Sequence, residues 1–130
     1  MIKKINKYIF TKADCVQFLK DKQDSEKPED SYDIIILDPP TFSNSKMADT
    51  MDINRDWPEL CSLCLNLLKP NGTLYFSTNS KRLKFDPSLL PETTNSSLKI
   101  TAQDITSSTI PQDFKGMTPH KVFEIKVSAQ

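Results

Sequence analysis

The sequence contains very little glycine: only Gly72 and Gly116 occur among its 130 residues. A G-x-G-x-x-G loop needs several glycines close together, because small residues are required where a backbone approaches a nucleotide cofactor. The sequence therefore excludes such a loop anywhere in the chain. The main cradle in which many α/β proteins hold a nucleotide cofactor is absent.

Cysteine and histidine are also scarce, with three cysteines and a single histidine. A zinc site needs four ligands, and beside the pair in Cys61-Ser-Leu-Cys64 only Cys15 and His120 remain. A redox-active pair would lie at a helix N-terminus, whereas Cys61 and Cys64 fall within the apolar face of an expected helix. We therefore predict that the pair packs in the core, that the chain holds no metal, and that His120 is a structural or surface residue.

No charge of one sign dominates, because 17 basic residues balance 17 acidic ones. A chain without net charge has no overall field that attracts nucleic acid. Any RNA contact must then come from a local cluster such as Lys81, Arg82 and Lys84. The alternative interpretation of that cluster is a solvated loop.

Long apolar runs are missing as well. The first ten residues contain lysines and no stretch long enough for a signal peptide or a membrane span. An odd number of cysteines without a secretion signal is typical of a reducing compartment. We therefore predict a cytoplasmic protein with no membrane partner.

The most informative segment that is present runs from Ile34 to Ser45. A run of apolar, largely β-branched residues predicts a strand buried on both faces of a sheet, and it ends at Asp38 and two prolines that cannot extend a ladder. Ligands of open α/β sheets bind at the carboxyl ends of the strands, so Asp38, Pro39, Pro40 and the ring of Phe42 would meet a ligand there. Such a set suits the edge and face of a planar base. The alternative is that Asp38 only caps a turn.

The hydrophobic pattern and the capping and turn residues predict an α/β chain with long loops. We expect a helical turn at Pro87–Leu90 and solvent or active-site loops at Asp21–Ser31 and Thr41–Arg55. Asp14 would cap the first helix, and Asp56 with Glu59 would form the capping box of the second. The predicted strands are Tyr8–Ala13, Tyr32–Leu37, Thr73–Ser77, Leu98–Gln103 and Val122–Val127, and the predicted helices are Cys15–Lys20 and Trp57–Leu68.

The segment Asp38-Pro-Pro-Thr-Phe42 resembles motif IV of the class I S-adenosylmethionine-dependent methyltransferases that act on nucleic-acid bases, with Thr41 inserted before the aromatic residue. The longer string Leu37–Lys46, then Asp52–Asp56, then Gly72–Arg82, is similar to the guanine-N7 catalytic half of the bacterial bifunctional 23S rRNA guanine methyltransferases. The resemblance covers about residues 8 to 128 and is most specific from Asp38 to Lys46.

This resemblance implies S-adenosylmethionine as the cofactor and 23S rRNA as the partner of the parent enzyme, with guanine N7 as the methylated atom. It also implies roles for individual residues. Asp14 and Cys15 resemble motif III beside the cofactor adenine, and Asp38 lies between cofactor and base. The implied base site consists of Asp38, Pro39, Pro40 and Phe42, and the implied substrate contacts are Thr41, Asn79, Lys81 and Arg82. The family usually has an asparagine at Thr78, where this sequence departs from the pattern.

The resemblance further implies that residues 1–130 are a partial Rossmann-like domain that runs from motif III to the C-terminal strand, is truncated ahead of motif III and lacks the glycine-rich loop. We expect about five strands, mostly parallel, with an antiparallel C-terminal strand. In the family two strands separate the counterparts of Tyr8–Ala13 and Tyr32–Leu37, so this chain should close the gap. Either Tyr8–Ala13 pairs directly with Tyr32–Leu37, or the open edge pairs with a second chain in a homodimer.

Two functions remain open at this point. The chain is a fragment of a 23S rRNA methyltransferase that is inactive alone, or it is a catalytically inactive α/β remnant that serves as a binding or structural module. A third interpretation, a chance Asp-Pro-Pro turn in an unrelated α/β enzyme, does not account for the length of the matching string.

Overall fold

The structure is a computed structural model that describes residues 8–25, 31–43, 50–91, 97–117 and 119–129. Parts of the two predicted loops, residues 26–30 and 44–49, lie outside the described residues. The helices are α1 (Cys15–Asp24), α2 (Ile53–Leu65) and α3 (Thr106–Thr109), with short 3₁₀ turns at Pro87–Leu89 and Gln112–Phe114. The strands are β1 (Tyr32–Leu37), β2 (Phe42–Ser43), β3 (Met51–Asp52), β4 (Leu68–Thr78), β5 (Leu98–Asp104) and β6 (Lys121–Ala129).

Four of these strands form the main sheet, in the order β1-β4-β6-β5. β1 and β4 are parallel, whereas β6 runs antiparallel to both β4 and β5. The α/β class and the antiparallel last strand are therefore confirmed, but a single parallel pair replaces the mostly parallel sheet of about five strands. The remaining strands, β2 and β3, form a separate antiparallel pair of two residues each.

The core lies between one face of the main sheet and the helix α2. Phe76 and Ile125 are fully buried on that face, and Trp57 of α2 stacks on Phe76 with ring centroids 6.3 Å apart. Phe85 and Phe123 stack at 4.1 Å beside them. This aromatic packing fixes α2 against β4, and the first turn of α2 is thereby held beside the carboxyl ends of β1 and β4.

β1 has the predicted bounds but not the predicted surroundings. Its side chains alternate: Ile35 packs against the core and Leu37 is buried in it, whereas Ile34 and Ile36 are 61% and 75% exposed on the other face. Among the described strands β1 lies at an edge of the main sheet, with β4 as its one neighbour. The prediction of a strand buried on both faces is wrong, because Ile34 and Ile36 are largely exposed.

Tyr8–Ala13 is not a strand, so this prediction is wrong. The segment has no regular structure, and Tyr8, Ile9 and Phe10 are 71% to 94% exposed. A β-rich composition favours a strand only where a neighbour completes the hydrogen-bond ladder. Direct pairing of this segment with β1 is therefore wrong as well, whereas pairing of the edge with a second chain stays a prediction.

The second helix begins four residues earlier than predicted. Asp52 is its N-cap and accepts from the backbone N–H of Asn54 at 3.0 Å, while the Asp56 carboxylate accepts from the backbone N–H of Asp52 at 3.0 Å. Asp56 thus reaches back to the cap instead of being the cap. Pro58 then lies inside α2 and not in its first turn. The capping role of Asp14 is confirmed, because its Oδ1 accepts from the backbone N–H of Gln17 at 3.0 Å.

The segment Pro70–Gly72 lies in an irregular part of the long strand β4. Pairing with β1 shifts from Tyr32 opposite Leu68 to Ile34 opposite Thr73, so extra residues of β4 are looped out. Asn71 has a φ of +67°, and a Cβ at Gly72 would lie 2.8 Å from the carbonyl oxygen of Lys69. Glycine is needed here because the backbones approach so closely.

Candidate base and cofactor site

A cleft of about 760 Å³ lies at the carboxyl end of β1. Three segments surround it: the start of α1, the end of β1 with the residues that follow it, and the start of α2. The predicted residues that line this cleft are Asp14, Cys15, Asp38, Pro39 and Pro40. The structure therefore brings together the residues predicted from the two motifs, although 24 positions of sequence separate Asp14 from Asp38.

Asp38 is held by a residue that the sequence analysis missed. The hydroxyl of Ser77, at the end of β4, donates to Oδ1 of Asp38 at 3.0 Å. The parallel register places Leu37 opposite Phe76, so the next residues on each strand, Asp38 and Ser77, also lie side by side. A carboxylate has about four lone-pair positions, so this one bond leaves capacity for a ligand.

The opposite wall of the cleft carries charges that the predictions did not include. Arg55, Asp56 and Glu59 of α2 and Lys20 of α1 line it. The Arg55 guanidinium donates to both oxygens of Asp56 at 2.9 and 3.0 Å. This hydrogen bond lowers the pKa of the Asp56 carboxyl, which also accepts from the backbone of Asp52. The wall is therefore a fixed ion pair beside the cleft.

Cys15 is the thiol at the start of α1, and it is exposed. Partial burial, together with the neighbouring Asp14 carboxylate, raises the pKa of Cys15, so its thiol is not activated as a nucleophile. Cys61 and Cys64 are buried, and burial raises the pKa of Cys64 to about 12. The prediction that the C-x-x-C pair packs in the core is confirmed.

Thr41 and Phe42 are not among the residues that line the cleft: Thr41 follows the lining residue Pro40, and Phe42 begins β2. Phe42 is 62% exposed and is paired with Asp52, while the carbonyl of Thr41 accepts from the backbone N–H of Ile53 at 3.0 Å. An exposed aromatic ring held by backbone bonds can stack on a planar base. The sequence predicts a loop here, because strands of two residues leave no alternation to detect.

The other predicted substrate contacts follow β4 and do not line the cleft. Asn79, Lys81 and Arg82 are exposed. The ammonium group of Lys121 donates to the carbonyl oxygens of Lys81 and Leu83 at 3.2 and 2.9 Å and so holds this loop in place. His120 has a structural contact, with its Nε2 2.8 Å from the hydroxyl of Thr109.

Two searches of the described residues bear on the remaining predictions. Among residues 8–25, 31–43, 50–91, 97–117 and 119–129, no three His, Cys, Asp or Glu side chains cluster in a way that could hold a metal ion. No helix in the part of the chain that the structure describes has the length and apolarity to cross a membrane.

Comparison with solved structures identifies the class of fold. The chain superposes on the SAM-dependent methyltransferase from Agrobacterium tumefaciens with a TM-score of 0.52 and 21% identity, covering 85% of this chain and 36% of that one. It superposes on SMU.776, crystallised in complex with SAH, with a TM-score of 0.58 and 25% identity, covering 88% of this chain and 30% of that one. The chain has part of a Rossmann-like methyltransferase fold.

The sequence relatives are more specific, although no family model matches the chain. It is 43% identical over 123 residues to the ribosomal RNA large subunit methyltransferase K/L of Legionella pneumophila (strain Corby), and 41% identical over 114 residues to that of Shewanella oneidensis. These matches cover 93% and 87% of this chain but 16% and 14% of the relatives. The chain is homologous to a segment of these rRNA methyltransferases and spans about a sixth of their length.

Proposed function

We propose that this chain is the base-binding part of an S-adenosylmethionine-dependent methyltransferase that modifies guanine N7 of 23S rRNA in the cytoplasm. The observation that carries the proposal is the position of Asp38. It lies at the carboxyl end of a parallel strand, lines the cleft, and is held by Ser77. The similarity to rRNA methyltransferases over 123 residues supports the same conclusion.

The proposed chemistry needs positioning and not a general base. Guanine N7 carries an in-plane lone pair and no proton, so the protein has only to aim that lone pair at the methyl donor. The free lone pairs of Asp38 would accept from guanine N1–H or the exocyclic amine, with Pro39 and Pro40 along the base edge. The exposed ring of Phe42 would stack on its face.

The cofactor fits the cleft only in part. S-adenosylmethionine, when bound, would supply the methyl group, and Asp14 and Cys15 would lie on its adenine side. The cleft wall contains no glycine, and the sequence has no glycine-rich loop to cradle the remainder of the molecule. We therefore expect titration calorimetry of the isolated chain to show weak or no binding of S-adenosylmethionine. A dissociation constant in the low micromolar range would show that the site is complete without such a loop.

Contacts with rRNA would come from the loop after β4. Thr41 lies beside the proposed base site, whereas Asn79, Lys81 and Arg82 are exposed and free to reach phosphates or neighbouring nucleotides. Because the chain has no net charge, these local contacts would have to supply its electrostatic attraction to RNA.

The open edge of β1 is proposed to pair with a strand of a second chain. This edge pairs with no other strand among the described residues, and with the exposed Ile34 and Ile36 it forms a surface that favours association. The same surface favours a second function, a binding or structural module without catalysis. Activity in a complete domain distinguishes the two functions.

A segment exchange tests the proposed enzyme function. The 123-residue segment of the Legionella relative would be replaced by the matching part of this chain, and 7-methylguanine in 23S rRNA would be measured by nucleoside mass spectrometry. We expect the hybrid protein to form 7-methylguanine. A folded hybrid that binds S-adenosylmethionine but methylates no guanine would favour the binding module.

A further inference from the structure

A continuous set of hydrogen bonds links the β2–β3 pair to the start of α2. Phe42 of β2 is paired with Asp52 of β3. The Oδ1 atom of Asp52 accepts from the backbone N–H of Asn54 at 3.0 Å and from its side-chain Nδ2 at 3.2 Å. The Asn54 side chain therefore bonds directly to the residue that faces Phe42 across the strand pair.

The same side chain also bonds to Ser80, two residues beyond the end of β4. Its Oδ1 accepts from the hydroxyl of Ser80 at 2.6 Å, and the backbone N–H of Ser80 donates to Oγ1 of Thr78 at 3.1 Å. Thr78 and Ser80 are 0% and 6% exposed. Because a buried polar group that loses its partner pays the full cost of desolvation, these bonds are strongly maintained.

We propose that Asn54 is a positioning residue that fixes Phe42 relative to Asp38. Both halves of the base site are tied to the end of β4: Asp38 through Ser77, and Phe42 through Asp52, Asn54 and Ser80. The distance between the stacking ring and the carboxylate is then set by β4, which packs in the core. This inference rests on the proposed base-binding function.

Helix capping alone does not account for the side chain of Asn54. The cap bond of α2 uses the backbone N–H of Asn54, and that bond persists whatever the side chain is. The bond to Ser80 instead joins two elements that are 26 residues apart in sequence. Its loss would remove the side-chain link between the β2–β3 pair and the residues that follow β4, without removing the cap.

Hydrogen exchange in the 130-residue chain tests the structural half of the inference. The backbone N–H of Ile53 donates to Thr41 and reports on the attachment of β2. In Asn54→Ala we expect exchange of this amide to be about tenfold faster, the effect of one lost hydrogen bond to a buried partner, with Ile125 in β6 unchanged. The control is Asn66→Ala, at the exposed other end of α2. Equal exchange of Ile53 in both variants would overturn the inference.

Kinetics in the hybrid protein test the functional half. Asn54→Ala and Ser80→Ala should each lower kcat about tenfold while KM for S-adenosylmethionine stays unchanged, because misplacement affects the base and not the cofactor. The effect of Asn54→Ala should vanish in a Phe42→Ala background, since it acts through that ring. Additive effects would overturn the positioning role. A wild-type hybrid without methyl transfer would instead contradict the proposed function, and the exchange of Ile53 would then decide the positioning role alone.

Discussion

The exposed face of β1 predicts that two copies of the chain associate through this strand. Ile36 is 75% exposed, so most of its apolar surface is available to a partner. Complete burial of an isoleucine side chain stabilises by about 1.5–3 kcal/mol. In a twofold interface each copy contributes this face, and Ile36→Lys should therefore raise the dissociation constant of a dimer by about a hundredfold.

The same substitution should hardly affect the free chain. Replacing a solvent-exposed residue changes the free energy of unfolding by about 0.5 kcal/mol or less. Sedimentation equilibrium over a concentration series would give the dissociation constant, and urea unfolding would give the stability. Thr101→Lys, an exposed position on the opposite edge strand β5, is the matched control. A wild-type chain that stays monomeric, or equal effects of the two lysines, would refute pairing through the β1 edge.

Two further predictions concern the titratable groups. At pH 8 a thiol reagent should modify Cys15 alone in the folded chain, because burial keeps Cys61 and Cys64 protonated and inaccessible. After unfolding, all three cysteines should react. Equal reaction rates at all three in the folded chain would contradict the packing. The Arg55 hydrogen bond lowers the pKa of Asp56 in the folded state. The ionised Asp56 carboxylate therefore stabilises the fold above its unfolded pKa of about 3.9, and this stabilisation is lost as the pH falls through the lower pKa of the folded state. Urea unfolding from pH 6 to pH 2 should therefore show the stability of wild type falling toward that of Asp56→Asn, whereas a constant difference would exclude this linkage.

Local sequence patterns predict an element correctly where its formation depends on residues within the element itself. The strand Tyr32–Leu37 was predicted with its observed bounds, because an apolar run that stops at two prolines is a local signal. The cap at Asp14 was predicted for the same reason. The start of α2 was wrong because Asp52 and Asp56 each provide a capping signal, and the bond from Asp56 back to Asp52 favours the earlier cap.

Strand pairing and hydrogen bonds between distant segments of the chain could not be predicted from local patterns. Tyr8–Ala13 has the composition of a strand, but it pairs with no described strand, and composition within the segment does not specify a partner. The bond between Ser77 and Asp38 follows from the register of β1 against β4, which no pattern within either strand specifies. The bond between Asn54 and Ser80 likewise appears only when α2 is packed on the sheet.

The most direct test of the base site separates turnover from cofactor affinity. In a complete enzyme that contains this segment, methyl transfer to 23S rRNA and the dissociation constant of S-adenosylmethionine would be measured for wild type, for Asp38→Ala and for a control, Asp24→Ala, at the exposed end of α1. We expect Asp38→Ala to lower turnover about a hundredfold, since it releases the base, with a much smaller change in cofactor affinity. Wild-type turnover in Asp38→Ala would contradict the account.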